Sequence, residues 1–306
     1  MKIKFKHFPA ILLLVLLSIL LVKCTQATTQ NRTENLNKTE VIAYYAGDKN
    51  TINQYDLNGV TQLIYSFLHL KENQLTIDNE ADSLTLMHLT GLKNKFPELK
   101  VLVSLGGWGG CKTCSVVFSS EQGRKEFALS TARIIEQYNA DGIDLDWEFP
   151  VIPGPPDHPY SLADKDNFTA LIKELKSVMQ PDDILSFAAG GFMSYLEQSI
   201  DWNAVMPMVD HVNIMTYDLY NGSNKQTGHH TPLYSNKNQN SSVDHAVNYL
   251  INQGVSSNQI VIGAAFYGRI WKEVPDVNNG FYQTGVFFQK LELQRLEPTR
   301  PRLCLL

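Results

Sequence analysis

The chain is 306 residues long, 43% hydrophobic and 19% charged, with 19 Gly, 13 Pro and 4 Cys. Those proportions exclude a disordered chain, a collagen-like repeat and a disulfide-stapled miniprotein, and the length allows one large domain or two small ones to bury real cores. A formal net charge of -5, without a basic stripe, argues against nucleic acid as partner and makes a neutral or weakly charged ligand the better expectation.

Lys2, Lys4 and Lys6 precede an apolar run from Ala10 to Val22 that only Ser18 interrupts. A basic head on so short a run fits a secretory signal better than a membrane span, so residues 1–24 are expected to direct export. Two processing routes fit. Thr25-Gln26-Ala27 loosely matches a small-residue cleavage site, which would leave the protein secreted and free. Leu21-Val22-Lys23-Cys24 resembles a bacterial lipobox, with Cys24 lipidated and the chain anchored on the outer face of a bacterial membrane; Lys23 suits that box poorly. Residues 25–39 are polar and rich in Thr and Asn, as in a flexible linker. Asn31, Asn37, Asn167, Asn221 and Asn240 open glycosylation triplets, which matter only in a eukaryotic secretory route.

Seven short apolar runs follow and predict strands: Val41–Ala46, Leu63–Leu70, Val101–Leu105, Gly142–Phe149, Ile184–Ala189, Val212–Tyr217 and Ile260–Tyr267. Helical stripes separate several of them. Phe127, Ile134, Ile135 and Tyr138 form one; Phe168, Leu171, Ile172, Leu175 and Met179 a second; Val243, Ala246, Val247, Leu250 and Ile251 a third. Pro181 stops the second, and Gly254 stands where the third needs a C-terminal cap. Such alternation predicts an α/β fold with a parallel sheet. Seven strands suit an open doubly wound sheet or an eight-stranded barrel without its last strand. The first strand leads into Tyr44-Tyr45-Ala46-Gly47 rather than a glycine-rich phosphate loop, and polar and aromatic residues gather at the carboxyl ends of the strands. Both features favour an incomplete (β/α)8 TIM-type barrel, whose site lies on that face.

Cys111 and Cys114 form a CxxC just after the third predicted strand. Such a pair can be redox-active, bind zinc or close a local disulfide. A four-Cys zinc site is excluded because there is no second CxxC, and export favours a loop-stiffening disulfide. Cys304 has no evident partner.

The stretch DGIDLDWEFP, Asp141 to Pro150, is the most informative. On a strand, Asp144, Asp146 and Glu148 share one face while Ile143, Leu145 and Trp147 share the other. In a barrel the apolar face meets the helices and the acidic face points inward. Carboxylates roughly 6–7 Å apart in a confined site cannot all ionise cheaply, so they should share protons as a coupled unit. A carboxylic acid that stays protonated near neutrality is what glycosidic bond cleavage needs. The competing readings are an exposed acidic strand, which the apolar opposite face disfavours, and a metal site, for which His158, His229 and His230 have no suitable spacing. Asp141 reads as structural. No metal or cofactor is expected.

DGIDLDWEFP resembles the D-G-x-D-x-D-x-E signature of glycoside hydrolase family 18, the chitinases and endo-β-N-acetylglucosaminidases. The likeness runs from about Val41 to Phe287 and takes in SLGGW at Ser104–Trp108, MTYD at Met215–Asp218 and YGR at Tyr267–Arg269. It implies a (β/α)8 barrel over residues 40–288 that acts on chitin or other N-acetylglucosamine oligosaccharides, as a monomer. The resemblance makes Glu148 the acid and base. The substrate's own acetamido oxygen is the nucleophile, giving an oxazolinium ion and net retention. Asp146 would orient the acetamido group, Asp144 would tune its proton, and Tyr217 would hydrogen-bond to it. Tyr44, Phe67, Trp108, Met215, Asp218, Tyr267 and Arg269 would line the sugar cleft. Flat aromatics suit pyranose faces, although core packing explains any one of them as well.

Members of that family insert a small α+β domain after the seventh strand and close with an eighth strand bearing a Trp. Val274–Phe288 resembles the start of the insertion, but the four Trp here are at 108, 147, 202 and 271, which leaves none for the closing position. From about Gln289 the text turns dense in Arg and Pro with no strand pattern. Residues 289–306 therefore read as an aberrant tail, either a short helix with a tail or, preferably, a frame cut short, with weak activity and stability expected. Cleavage of N-glycan cores, a chitin-binding lectin and an inactive remnant are the alternatives; Glu148 favours catalysis over the lectin.

Overall fold

A computed structural model of the chain describes residues 39–288 and the backbone of Arg302–Leu305. The leader, the lipobox at Cys24, the glycosylation triplets at Asn31 and Asn37, the linker up to residue 38 and most of the tail lie outside the described residues.

The chain opens with β1 (Ile42–Ala46), followed by β2 (Gln62–Lys71), whose end turns back as the short antiparallel β3 (Gln74–Thr76). Then come α1 (Glu80–Gly91), β4 (Lys100–Gly106), α2 (Cys114–Phe118), α3 (Glu121–Tyr138), β5 (Gly142–Asp146) and α4 (Asp164–Val178). The second half runs β6 (Ile184–Gly190), α5 (Met193–Gln198), α6 (Trp202–Val205), β7 (His211–Met215), α7 (Val243–Asn252) and β8 (Ile260–Ile262). Among the described residues, β1, β2, β4, β5, β6, β7 and β8 pair in parallel in that order. This is an incomplete (β/α)8 barrel with seven parallel strands, as the alternation of runs and stripes predicts.

The predicted helical stripes become buried helix faces, except that Ile251, at the end of the third, is exposed. In α3, Phe127, Ile134 and Ile135 are buried, the Ser120 side chain accepts from the Gly123 amide at the start, and Asn139 ends the helix in the left-handed region. In α4, Phe168, Leu171, Ile172 and Leu175 are buried, and in α7 Val243, Ala246 and Leu250. Strand residues of one parity, such as Ala43, Tyr45, Val101, Val103, Ile143, Leu145, Leu185, Phe187, Val212 and Ile214, pack against these helices in the main core. Residues of the other parity face inward. At the amino end of the barrel they are apolar, Ile42, Ile64 and Leu102 with Ile184 and Val261 beside them. One step further along, they become Tyr44, Ser104, Asp144, Ser186 and Asn213. An inward layer thus turns from hydrocarbon to hydrogen-bonding groups as it rises toward the carboxyl ends.

Three predicted strands stop early: the fourth at Asp146, the sixth at Met215 and the seventh at Ile262. Residues beyond the point where the neighbouring strands end have no ladder to join, so Glu148, Tyr217, Asp218 and Tyr267 stand on loops. Tyr217 and Asp218 therefore do not end a strand, and neither does Tyr267. After β8 a two-stranded antiparallel unit forms from β9 (Ile270–Lys272) and β10 (Val286–Phe288), starting four residues before Val274. An isolated bridge from Gln226 to Thr284 ties it to the loop after β7.

The tail also departs from expectation. Arg302–Leu305 forms β11, antiparallel to β1, with Ala43 opposite Leu305 and Ala46 opposite Arg302. Backbone donors and acceptors along a sheet edge accept any extended partner whatever its side-chain pattern, so a segment without strand periodicity can still pair there. Cys304 lies on this strand, opposite Tyr44.

Candidate active site

The β5 sequence alternates Asp and aliphatic residues, and the barrel sorts them by parity. Ile143 and Leu145 join the outer core with Trp147, which packs its ring on Phe118 and Phe168. Asp144 and Asp146 point inward and are buried. Glu148 follows on the loop, partly exposed at the mouth.

Asp144 sits in a cradle built by four other strands. Its Oδ2 accepts from Tyr44 Oη at 2.9 Å and Ser104 Oγ at 3.0 Å, and its Oδ1 from Ser186 Oγ at 2.7 Å and Asn213 Nδ2 at 3.1 Å. Asn213 also donates to Tyr44 Oη at 2.9 Å. Burial raises the Asp144 pKa, and the four donors pull against it. Asp146 has no such support. Its Oδ1 is buried with no hydrogen-bond partner among the described residues, and burial followed by the charges of Glu148 and Asp144 holds its carboxyl well above the usual carboxylate range. Burial, reinforced by the charge of Asp218, pushes Glu148 up to about 8.

A second cluster faces Glu148 from the loops after β7 and β8. Asp218, in the left-handed region with φ of 55°, accepts from Tyr267 Oη at 2.7 Å and from Arg269 Nε at 2.5 Å, and the guanidinium makes a further ion pair with the same carboxylate. The Tyr217 and Tyr267 rings meet edge to face at 5.9 Å. Met215 is half-buried at the end of β7, where its carbonyl accepts from the Gly191 amide.

The SLGGW segment is explained by close approach. Gly106 and Gly107 both have positive φ, and a Cβ on Gly106 would lie 2.3 Å from the Asp146 carbonyl oxygen, while one on Gly107 would lie 2.5 Å from the Phe67 ring. Only glycine lets the loop after β4 lie against both, with the Gly107 amide donating to the Asp146 carbonyl at 3.0 Å. Trp108 then projects outward, 65% exposed, with its edge on Phe149. Beyond it a disulfide joins Cys111 to Cys114, with Cα atoms 5.2 Å apart. Asp141 lies at the opposite end of β5, where it pairs with Lys93 and Lys100 and accepts from the Val101 amide.

Sequence alone gave no role to Ser104, Ser186 and Asn213, although each is a polar residue at inward parity in an apolar run. No sequence pattern singles out Tyr195. It is buried in α5 against Phe149 and Phe192, and its hydroxyl is held far from ionisation by burial and then by the charges of Asp146 and Glu148. His230, which has no motif spacing to the acidic ladder, meets it through Asp218. Its Nδ1 accepts from the Asp218 amide at 3.1 Å.

With this geometry in hand, residues 40–297 match the family described as Glycosyl hydrolases family 18. The chain belongs to that family. Among similar proteins are mouse chitotriosidase-1, 28% identical over 79% of this chain and 53% of its own, and probable chitinase 2 of Drosophila melanogaster, 30% identical over 72% and 47%. A family 18 N-acetylglucosaminidase from Paenibacillus barengoltzii superposes with a TM-score of 0.73 at 32% identity, covering 85% of this chain and 79% of its own. The chain spans about half the length of the curated relatives named here.

Proposed function

We propose that this family 18 chain is a glycosidase that cleaves β-1,4 bonds in chitin or chitooligosaccharides with retention, Glu148 serving first as acid and then as base. The observation that carries the reading is the buried, inward pair Asp144 and Asp146 followed on the loop by Glu148, which keeps its proton up to about 8. An acid so placed can protonate a glycosidic oxygen at neutral pH. No second carboxylate is needed as nucleophile if the substrate's 2-acetamido oxygen attacks the anomeric carbon. Asp146, short of a hydrogen-bond partner, is suited to accept the acetamido N–H and to balance the charge of the oxazolinium ion. Asp144, held by four donors, is the member best able to remain ionised beside it. Tyr217 orients the acetamido group, and Asp218, Tyr267 and Arg269 shape the same subsite. Tyr44, Phe67, Trp108 and Met215 line the cleft.

The names of the similar proteins agree with N-acetylglucosamine polymers as substrate, and a mutant of the second catalytic domain of the Ostrinia furnacalis group II chitinase has been solved with a chitooligosaccharide. The basic leader supports export. Among the described residues no helix is long and apolar enough to cross a membrane. The test of the catalytic reading is hydrolysis of a chromogenic chitooligosaccharide by the wild type and by Glu148→Gln. Wild-type turnover that the substitution abolishes is expected. Turnover unaffected by it would remove Glu148 from its role, and binding without turnover in both proteins would favour a lectin.

A further inference from the structure

We propose that His230 is a positioning residue for the Asp218 turn, which it holds through an unprotonated Nδ1 and releases when that nitrogen takes a proton. The proposal rests on the glycosidase reading, because its consequence for turnover is felt at Asp218 and Glu148.

His230 comes from the segment between β7 and α7, twelve residues after Asp218. The two are laced together along the backbone. The His230 carbonyl accepts from the Leu219 amide at 3.1 Å, and His230 Nδ1 accepts from the Asp218 amide at 3.1 Å. A backbone N–H can only donate, so Nδ1 must present its lone pair, and the neutral ring carries its proton on Nε2. Asp218 needs this hold. Its φ of 55° lies in the left-handed region, uncommon for a residue with a Cβ, and the bonds from the Asp218 and Leu219 amides to His230 hold it there. In that conformation its carboxylate reaches Tyr267 and Arg269, and its charge helps to keep Glu148 protonated.

The groups facing the imidazole make it a sensor. Asp218 Oδ1 lies 3.5 Å from Nδ1, the Tyr267 ring packs on it at 4.9 Å, and Arg269 stands across the carboxylate. Burial favours the neutral ring, the Asp218 charge opposes this, and Arg269 adds to it, so that the ring protonates below its ordinary 6.5. Nε2 is buried with no hydrogen-bond partner among the described residues, so only the Nδ1 side has an acceptor close enough to reward the charged form. A proton on Nδ1 would set one donor against another at the Asp218 amide and turn the ring toward Asp218 Oδ1. The carboxylate would then be shared among His230, Arg269 and Tyr267, the amide would lose its acceptor, and Glu148 would lose part of the negative field that preserves its proton.

Asparagine separates the two halves of the proposal, because its Oδ1 sits at the branch position of Nδ1, accepts from an amide and does not titrate. The experiment uses the full chain and follows kcat and KM on a chitooligosaccharide over about pH 4–8, the range of histidine titration, for the wild type, His230→Asn and His230→Leu. His230→Leu is expected to lose about tenfold in kcat/KM at neutral pH, as for a buried amide left unpaired. His230→Asn is expected to recover most of that loss and to lack one acid inflection present in the wild type. In parallel, nitrogen-15 NMR of the imidazole should find the Nε2-protonated tautomer at neutral pH, with the Asp218 amide signal following the His230 titration in the wild type and not in His230→Asn. An Nδ1-protonated ring, an Asp218 amide indifferent to that titration, or coincident pH profiles for the wild type and His230→Asn would each overturn the proposal. A wild type without turnover at any pH would instead remove the glycosidase reading, while the NMR result would still decide the role of His230.

Discussion

Replacing Glu148 by Gln should destroy turnover and stabilise the fold, and the size of the second effect follows from the first shell of charge around the carboxyl. In the folded chain, burial and Asp218 raise Glu148 from 4.5 to about 8. A raised pKa means that the folded state holds a proton the unfolded chain has already released. The stability linked to that proton is therefore fully present below 4.5 and is lost as pH climbs toward 8. At about 1.4 kcal/mol per pH unit the loss approaches roughly 5 kcal/mol above pH 8 and roughly 3 kcal/mol at pH 7. Glutamine keeps the shape and the neutral hydrogen-bonding character without ever ionising. Glu148→Gln should thus melt higher than the wild type at neutral and alkaline pH, by on the order of 5–10 °C at pH 7 for a domain of this size, and at nearly the same temperature near about pH 4. Its kcat should fall at least about a hundredfold, the usual loss for a general acid. Thermal denaturation of both proteins across the pH range, beside kcat on a chitooligosaccharide, measures the two together. Melting temperatures that stay parallel from acid to alkali would show that Glu148 ionises in the folded state as easily as in water, and the account of its catalytic protonation would fail.

Three further outcomes follow from the same geometry. Asp218→Asn removes the charge that helps to raise Glu148, so the alkaline limb of kcat/KM should move to lower pH, which a pH–rate profile reads directly. Ser186→Ala takes a 2.7 Å donor from Asp144, so its carboxyl should rise further, with the acid limb moving to higher pH and a local cost of about 1–2 kcal/mol in denaturant melts. His211, buried at the start of β7, is lowered from 6.5 to about 4 by burial, against the charge of Asp210. The stability tied to its neutral ring is present above 6.5 and lost as pH falls toward 4, up to about 3 kcal/mol, so His211→Phe should flatten the acid decline in melting temperature.

Much of this architecture is legible in the sequence because two periodicities are strong. Leu, Ile and Phe at helical spacing mark α3, α4 and α7, and runs of β-branched and aliphatic residues mark seven strands. The alternation in GIDLD fixes which face of β5 is acidic without any partner being known. Tertiary pairing decides the rest. Whether Glu148 belongs to the strand depends on where β4 and β6 stop, which no local signal in WEFP records. The Asp144 cradle joins residues up to 169 positions apart, from Tyr44 to Asn213, and each contributor is a single unremarkable polar residue in its own run. His230 is harder still, since a His in a polar loop has no periodicity at all. Likewise β11 pairs through backbone groups alone, to which a side-chain pattern is blind.

Three carboxylic acids acquire different environments here through position along β5 and the loop that follows it. Asp144 lies deepest, where five strands converge and every lone pair can be met, so burial is offset by donors. Asp146 is one step higher, level with Gly106 on β4 and Ala188 on β6, neither of which offers a side-chain donor, so its Oδ1 has no hydrogen-bond partner among the described residues. Glu148 has left the ladder and faces Asp218 across the mouth, so like charge adds to burial. The order of decreasing support is also the order toward the carboxyl end of the strand. Exchanging donors between levels should therefore exchange behaviour more than exchanging the acids themselves. A donor introduced beside Asp146, for instance by Ala188→Ser on the inward face of β6, should lower the Asp146 carboxyl and weaken its claim on the acetamido N–H. KM for N-acetylated oligosaccharides would then rise without loss of Glu148's alkaline limb. An unchanged KM with an Asp146 carboxyl shown by NMR to have fallen would mean that the bare oxygen is incidental to substrate recognition.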